Sequence, residues 1–274
     1  YDSNLICLRH NRINFKVVRL DDNGDFDFNE LRSKIDSNTL IVNLCHITSY
    51  IGNENPAEKI GKIIKKINPN IIYSIDACQS IGHINIDVKQ FKCDVLIGSG
   101  RKFLRGPRGT GFIYLKKINE SLIKPCIIDS HNIDNKSKTG LKKDHVFENF
   151  EYSPALKVGL SESIRRINNL GIPKIQNDIK SKSKYFRNKL KKMSNINLYE
   201  SENKVSGINT LTIKNIPTKN IYNFLLKKKV LTSIVEKKDY YSRKNKISNA
   251  LRVSFHYYNT YKQIDYLIKC ISRI

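Results

Sequence analysis

The chain has 274 residues, which is enough for one large domain and part or all of a second, and its 39% hydrophobic content excludes a disordered tail. Its 49 Lys and Arg against 25 Asp and Glu give a net charge of +24, but this excess is spread over almost every segment, which favours a basic solvated surface over a specific nucleic-acid site. Apolar runs fall short of the roughly 18 residues of a membrane span and residues 1–30 lack a signal-peptide pattern, so we expect a cytoplasmic protein without a membrane partner.

In the first half of the chain, short apolar runs alternate with longer amphipathic stretches. Strands buried on both faces are predicted at Leu40 to Cys45, Ile71 to Ile75 and Val95 to Gly98, because these runs are apolar almost throughout. Pro56 opens a helical stretch between the first two strands, and Gly111 to Leu115 is predicted to form a further strand. This alternation indicates an α/β fold with a mainly parallel sheet.

The second half begins with a polar, Lys-rich stretch, Ser121 to Glu148, which we interpret as a long loop. Helical periodicity then covers Ser153 to Asn169 and Lys174 to Met193. The remaining predicted elements are strands at Ile196 to Tyr199, Ile208 to Ile213, Val230 to Val235 and Leu251 to Phe255, a helix from Pro217 and a final helix. The sequence therefore predicts a large domain over residues 1–169 and a smaller α/β domain over residues 170–274.

Cysteine spacing bears on metal binding and on disulfides. The six cysteines form no C-x-x-C pair and have no metal-ligand spacing with His, so we expect neither a metal site nor a disulfide framework. The first residue is Tyr1 and the single methionine is Met193, so we expect a chain that was processed or that lacks its N-terminal part.

The densest cluster of unusual residues is GSGRKFLRGPRGTGF, which spans Gly98 to Phe112 directly after a predicted buried strand. Its glycines and proline disfavour helix and strand, and loops at the carboxyl ends of strands are where open α/β sheets bind ligands. Ser99 and Arg101 supply a hydroxyl and a guanidinium that could hold a phosphate beside the amine of Lys102. The alternative is a basic surface turn.

A second cluster, SIDACQSIGH, also follows a predicted buried strand. Asp76 ends that strand and lies 26 residues before Lys102, which is about one strand-helix-strand repeat, so both side chains are expected at the same sheet edge. A carboxylate and an amine at adjacent strand ends suit a Schiff-base cofactor, whose aldehyde bonds the amine and whose ring nitrogen pairs with the carboxylate. The alternative is that Asp76 caps the following helix.

These two clusters, read as DACQSIGHINIDV and GSGRKFLRGPRGTGFIYL, resemble the cofactor-binding core of the class V aminotransferase family, which includes cysteine desulfurases, selenocysteine lyase and isopenicillin N epimerase. Three further segments resemble parts of the same family: His46 to Ile63, Phe147 to Leu160 and Leu251 to Asp265. The resemblance implies the fold type I α/β architecture of pyridoxal phosphate enzymes, with a mainly parallel cofactor domain and a smaller C-terminal domain. It also implies a homodimer.

The resemblance implies a cofactor role for five residues of the two clusters. Lys102 would form a Schiff base with pyridoxal 5'-phosphate, and Asp76 would pair with the ring nitrogen. Gln79 would hydrogen-bond the phenolic oxygen, while Ser99 and Arg101 would hold the phosphate. Arg101 differs from the His that cysteine desulfurases carry before their lysine, but a permanent cation also suits a phosphate.

Three residues outside the two clusters complete the predicted site. Tyr1 matches the aromatic or His position that stacks on the cofactor ring. Arg252 matches the arginine that binds the substrate α-carboxylate, where a bidentate fork favours Arg over Lys; from the strand pattern alone, a solvent-facing side chain is the alternative. Ser49 stands where desulfurases carry an Asn near the substrate.

The resemblance leaves the reaction open. The GSGRKFLRGPRGTGF string is most similar to the epimerase-like and C–S lyase-like branch, and it implies an enzyme acting on a small amino acid substrate through Lys102. The stretch Val230 to Asn249, where desulfurases present a nucleophilic cysteine, contains none, which disfavours persulfide chemistry by that route. A class V aminotransferase, a cysteine desulfurase and a non-catalytic basic binding protein are the alternatives.

Overall fold

The computed structural model describes residues 2–21, 25–116, 125–137, 140–142, 147–236 and 249–274. These residues form two four-stranded sheets joined by a pair of long helices. Among the helices of the described part of the chain, none is long and apolar enough to cross a membrane.

The first sheet has the strand order β1-β2-β3-β4. Its strands are β1 (Ile41–Cys45), β2 (Ile72–Asp76), β3 (Val95–Ser99) and β4 (Gly111–Leu115). The pairs β1·β2 and β2·β3 are parallel, while β4 returns antiparallel to β3. The positions of the predicted strands are confirmed to within one residue, but burial on both faces holds only for β2, since β1 exposes Ile41 and β3 exposes Ile97. The carboxyl ends of β2 and β3, which carry Asp76 and Ser99, lie side by side.

Three helices precede or connect the strands of this sheet. The crossover helix α3 (Ala57–Ile67) buries Ile60 and Ile64 against β2, which fixes the parallel connection from β1 to β2. Near the start of the chain lie two helices that the sequence analysis did not predict, α1 (Asp2–His10) and α2 (Phe28–Lys34). Helix α2 begins where the Asp27 side chain accepts the backbone N–H groups of the first turn.

The long helices are α4 (Pro154–Leu170) and α5 (Ile172–Leu190), separated by Gly171. Gly171 has a φ of 84°, which a glycine adopts without the strain that a Cβ would cause. Ile175 and Ile179 of α5 pack in one buried cluster with Ile47 and Ile208, so this helix joins the packing of the two sheets.

The second sheet has the strand order β5-β6-β8-β7 and antiparallel pairings. Its elements are β5 (Ile196–Leu198), β6 (Ile208–Ile213), α6 (Thr218–Lys227), β7 (Ser233–Val235), β8 (Ala250–Ser254) and α7 (Tyr261–Ile271). The prediction placed a strand from Val230, but β7 starts only at Ser233. The reason is that the Val230 N–H donates to the Leu225 carbonyl and completes the end of α6 instead.

Candidate active site

The loop between β3 and β4 carries Lys102 and is tied together by its own backbone. The Gly100 N–H donates to the Thr110 carbonyl at 3.0 Å, and the Gly106 N–H donates to the Gly100 carbonyl at 2.7 Å. The Arg105 N–H donates to the carbonyl of Lys102 at 3.0 Å. These bonds hold Lys102 just beyond the end of β3, where the sequence analysis placed it.

A cleft of about 440 Å³ opens at this edge of the first sheet, a size typical of small-molecule sites. Five of the predicted site residues line it: Ser49, Gln79, Arg101, Lys102 and Arg252. Asp76 and Ser99 lie at the ends of the two adjacent strands that lead into the cleft. Tyr1, the eighth predicted residue, lies outside the described residues.

Asp76 is a buried carboxylate with one oxygen committed to the backbone. Its Oδ1 accepts the Cys78 N–H at 3.0 Å, so Asp76 does fasten the turn after β2. Its Oδ2 accepts a longer bond, 3.4 Å, from the side-chain amide of Asn4 on α1. Sequence reasoning missed Asn4, because no local pattern connects a residue of α1 with a strand end 72 residues later.

Arg252 on β8 joins the second sheet to the cleft. Its Nη1 donates to the Ser49 carbonyl at 2.8 Å. Its buried Nε has no hydrogen-bond partner within the described ranges, and burial lowers the pKa of the guanidinium. An unpartnered buried donor costs about 1–3 kcal/mol, and a carboxylate bound by the guanidinium fork would satisfy it. This orphaned donor therefore fits an anionic ligand in the cleft.

Two buried histidines stack on Phe103, the residue after Lys102. The ring of His83 lies 4.1 Å from the Phe103 ring and that of His256 lies 5.3 Å from it, both with nearly parallel planes. We name His83, Phe103 and His256 the aromatic clamp. Because His83 comes from the loop after β2 and His256 from the loop after β8, the clamp holds the Lys102 loop between the two sheets.

Hydrogen bonds fix both histidines of the aromatic clamp as neutral rings. The Gly207 N–H donates to His83 Nε2 at 2.9 Å, so His83 Nδ1 carries the proton and donates to the Gln79 carbonyl at 3.1 Å. The Tyr257 N–H donates to His256 Nδ1 at 2.9 Å, so His256 Nε2 donates to the Phe103 carbonyl at 3.0 Å. A second proton on either ring would point at a backbone N–H, which is itself a donor, and would break that hydrogen bond.

We expect the stability of the fold to fall on acidification below about pH 6.5. Burial lowers the pKa of His46 to about 4, that of His83 to about 3 and that of His256 to about 4, while an unfolded histidine has a pKa of about 6.5. The unfolded chain therefore binds protons that the folded chain excludes. For each of the three histidines, the free energy of unfolding should fall by about 2 kcal/mol between pH 7 and pH 5. Urea unfolding at the two pH values measures this loss.

A pair of variants tests this assignment. His83→Gln should lower stability at pH 7 and reduce the loss between pH 7 and pH 5, because it removes one group that protonates only on unfolding. His10→Gln, an exposed residue of α1, should leave the wild-type loss unchanged. Equal losses in wild type and His83→Gln would show that the buried ring is not the source of the acid sensitivity.

The thiols beside the site are poor nucleophiles. Burial, and next the negative charge of Asp76, raise the pKa of Cys45 to about 12 and that of Cys78 to about 11. Both are therefore protonated at neutral pH, and the thiolate is the reactive form. Most of the stretch Val230 to Asn249, in which no cysteine was found, lies outside the described residues.

Comparison of the sequence with known families gives one match over nearly the whole chain. Residues 3–267 match the family model described as aminotransferase class-V. A protein of Borreliella burgdorferi named "Probable cysteine desulfurase" is 28% identical over 277 residues, which cover 96% of this chain and 64% of that protein. This chain thus spans less than two thirds of the length of that relative.

Solved structures show the same fold. The apo structure of a cysteine desulfurase from Thermococcus onnurineus NA1 superimposes with a TM-score of 0.83 at 24% identity, covering 94% of this chain and 65% of that one. The cystine C-S lyase C-DES, in complex with its product cysteine persulfide, gives a TM-score of 0.77 at 18% identity over 88% of this chain and 63% of that one. These likenesses confirm the predicted fold type I architecture, and the family match confirms the resemblance found in the sequence. The chain belongs to the class V aminotransferase family.

Proposed function

We propose that this chain is a pyridoxal phosphate-dependent enzyme that acts at the α-carbon of an amino acid. The observation that carries the proposal is the cleft in which Lys102 lies with Arg252, whose buried Nε lacks a partner among the described residues. Binding of an amino acid to this cofactor requires two groups. The amine of Lys102 can bond the cofactor aldehyde, and the guanidinium of Arg252 can bind the substrate carboxylate.

Four further residues would hold the cofactor. Asp76 would face the ring nitrogen, because it is a buried carboxylate at the end of β2 with its Oδ2 bonded only weakly by Asn4. Gln79 lines the cleft three residues later and would donate to the phenolic oxygen. Ser99 and Arg101, beside Lys102, would bind the phosphate. When bound, pyridoxal phosphate supplies an electron sink for the charge left as the α-proton departs.

The residues of the chain would then share the work on the substrate. Arg252 would fix the α-carboxylate with its fork, and the backbone contact of its Nη1 to Ser49 would keep the fork oriented. Lys102 would move the α-proton, since its amine lies in the same cleft. The aromatic clamp would keep Lys102 in place by packing on its neighbour Phe103.

For the reaction we favour cleavage of a carbon–sulfur bond without a cysteine nucleophile. The relatives are named cysteine desulfurase and cystine C-S lyase, which supports sulfur chemistry. The protonated states of Cys45 and Cys78 speak against an attacking thiol in the described part of the cleft. Epimerisation and transamination use the same residues and remain the alternatives.

We further propose a homodimer of two-domain subunits. Helix α4 exposes Val158, and the segment before it exposes Phe150 and Tyr152, an apolar surface of the kind that a subunit interface covers. The separate sheets support the predicted domains, residues 1–169 and 170–274. A cytoplasmic location stays a prediction.

Arg252→Lys in the full-length protein should mainly weaken substrate capture. Replacing the fork with a point charge removes one of two charge-assisted hydrogen bonds, so the amino acid concentration that half-saturates the change in cofactor absorption should rise about 10- to 100-fold. L-Cysteine and L-cystine serve as probes, with the release of sulfide measured for L-cysteine and the release of cysteine persulfide for L-cystine.

Cys78→Ser is the matched control for this experiment. It lies two residues after Asp76 but is protonated, so sulfide release should change by only a small factor. A Cys78→Ser variant without activity, together with a persulfide trapped on Cys78, would favour a cysteine desulfurase instead. If Arg252→Lys binds the substrate as tightly as wild type does, Arg252 does not bind the substrate α-carboxylate.

A further inference from the structure

The cleft carries more positive charge than the proposed function uses. Its lining includes Arg101, Lys102, Arg105 and Arg252, and none of the described residues that line it is an Asp or a Glu. The cofactor phosphate, the cofactor aldehyde and the substrate α-carboxylate account for Arg101, Lys102 and Arg252 in turn. Arg105 is left without a role.

The backbone at Arg105 adopts a conformation that residues with a Cβ rarely adopt. Its φ is 63°, in the left-handed region that side chains with a Cβ rarely occupy. A hydrogen bond holds it there, because its N–H donates to the Lys102 carbonyl at 3.0 Å. Its own carbonyl lies 3.3 Å from the Ser163 hydroxyl of α4, which lies closer, at 2.9 Å, to the Gly159 carbonyl. The loop therefore places Arg105 at a fixed position relative to Lys102.

The side chain of Arg105 is also held. Its guanidinium lies over the ring of Tyr258, 4.7 Å from the ring centroid, and its Nη1 is 3.4 Å from the Tyr258 hydroxyl. Tyr258 lies in the turn after β8, the strand that carries Arg252, so β8 and the turn after it bring both residues to the cleft. In the described part of the chain, no carboxylate lies within ion-pair distance of Arg105.

We propose that Arg105 is a specificity-determining residue that binds a second anionic group of the substrate, at the end opposite its α-carboxylate. The substrate class would be amino acids whose side chain, or whose conjugated group, ends in a carboxylate or another oxyanion. A guanidinium fork suits such a group because it donates two parallel hydrogen bonds. This inference rests on the proposed function and names the substrate class of the same cleft.

The test compares acids with their isosteric amides on the full-length protein loaded with cofactor. L-Aspartate and L-glutamate are titrated beside L-asparagine and L-glutamine, and the change in the visible absorption of the cofactor gives an apparent Kd. Wild type should bind one of the acids at least about 10-fold more tightly than its amide, as a charge-assisted bond predicts. Arg105→Gln should lose this preference, and Arg105→Lys should keep part of it.

Arg108→Gln is the matched control, because Arg108 is exposed in the same loop and does not line the cleft. It should keep the wild-type preference, which separates a specific contact from the general attraction of a basic surface. The inference alone is wrong if Arg105→Gln keeps the preference, or if it weakens cofactor binding without changing discrimination. If no amino acid changes the absorption of wild type, the proposed function is wrong and this inference with it.

Discussion

A Lys102→Ala variant should lose the visible absorption band of the bound cofactor and lose turnover, while its fold stays intact. The side chain of Lys102 lines the cleft and supplies the amine proposed to bond the cofactor aldehyde. The loop itself should survive, because the bond from the Arg105 N–H uses the carbonyl of residue 102 and not its side chain. Absorption spectra of matched samples measure the loss of the cofactor band, and thermal unfolding shows whether the fold stays intact.

Lys66→Ala is the control for this variant, since Lys66 is exposed on α3 and does not line the cleft. It should keep the wild-type band and turnover. If Lys102→Ala keeps the band as well, another amine holds the cofactor and the lysine assignment is wrong.

Asp76→Asn should bind the cofactor but slow turnover by about 100-fold or more. The substitution is isosteric, so the contact from the Cys78 N–H can persist, but a neutral amide no longer favours the protonated ring nitrogen. The cofactor band should therefore remain while the rate falls. Initial rates and absorption measured on the same sample separate these effects.

Asp94→Asn is the control for Asp76→Asn, because Asp94 is also a buried carboxylate and lies just before β3. It pairs with Lys65 and accepts the Tyr73 N–H at 2.9 Å, so its loss should lower stability rather than the rate per folded molecule. Turnover of Asp76→Asn within a few fold of wild type would contradict the role proposed for that carboxylate.

The strands of the first sheet could be predicted from the sequence because each is a short apolar run with clear ends, although only β2 is buried on both faces. Strand β2, for example, is buried from Tyr73 to Asp76 and matches its prediction to within one residue. The two N-terminal helices could not be predicted in this way. Helix α1 is largely exposed and has little amphipathic pattern, and α2 has only seven residues.

Some residues of the candidate site could likewise be predicted from local sequence patterns, and others could not. The positions of Lys102 and Gln79 at the cleft, and of Asp76 at the end of β2, could be predicted because these residues lie at or just after strand ends in short, unusual strings. The aromatic clamp and the Arg105–Tyr258 pair could not, because their partners come together only in the fold. His256 and Phe103, for instance, are 153 residues apart in sequence, and no local spacing connects them.

The amine of Lys102 is proposed to form a Schiff base with the cofactor aldehyde. Reductive trapping tests this bond most directly. The full-length protein is incubated with pyridoxal phosphate, treated with borohydride to make the bond between amine and cofactor permanent, digested and analysed by mass spectrometry. We expect the added pyridoxyl phosphate mass on Lys102, and none on the Lys102→Ala variant. Modification of another lysine in place of Lys102, or none in wild type, would contradict this assignment.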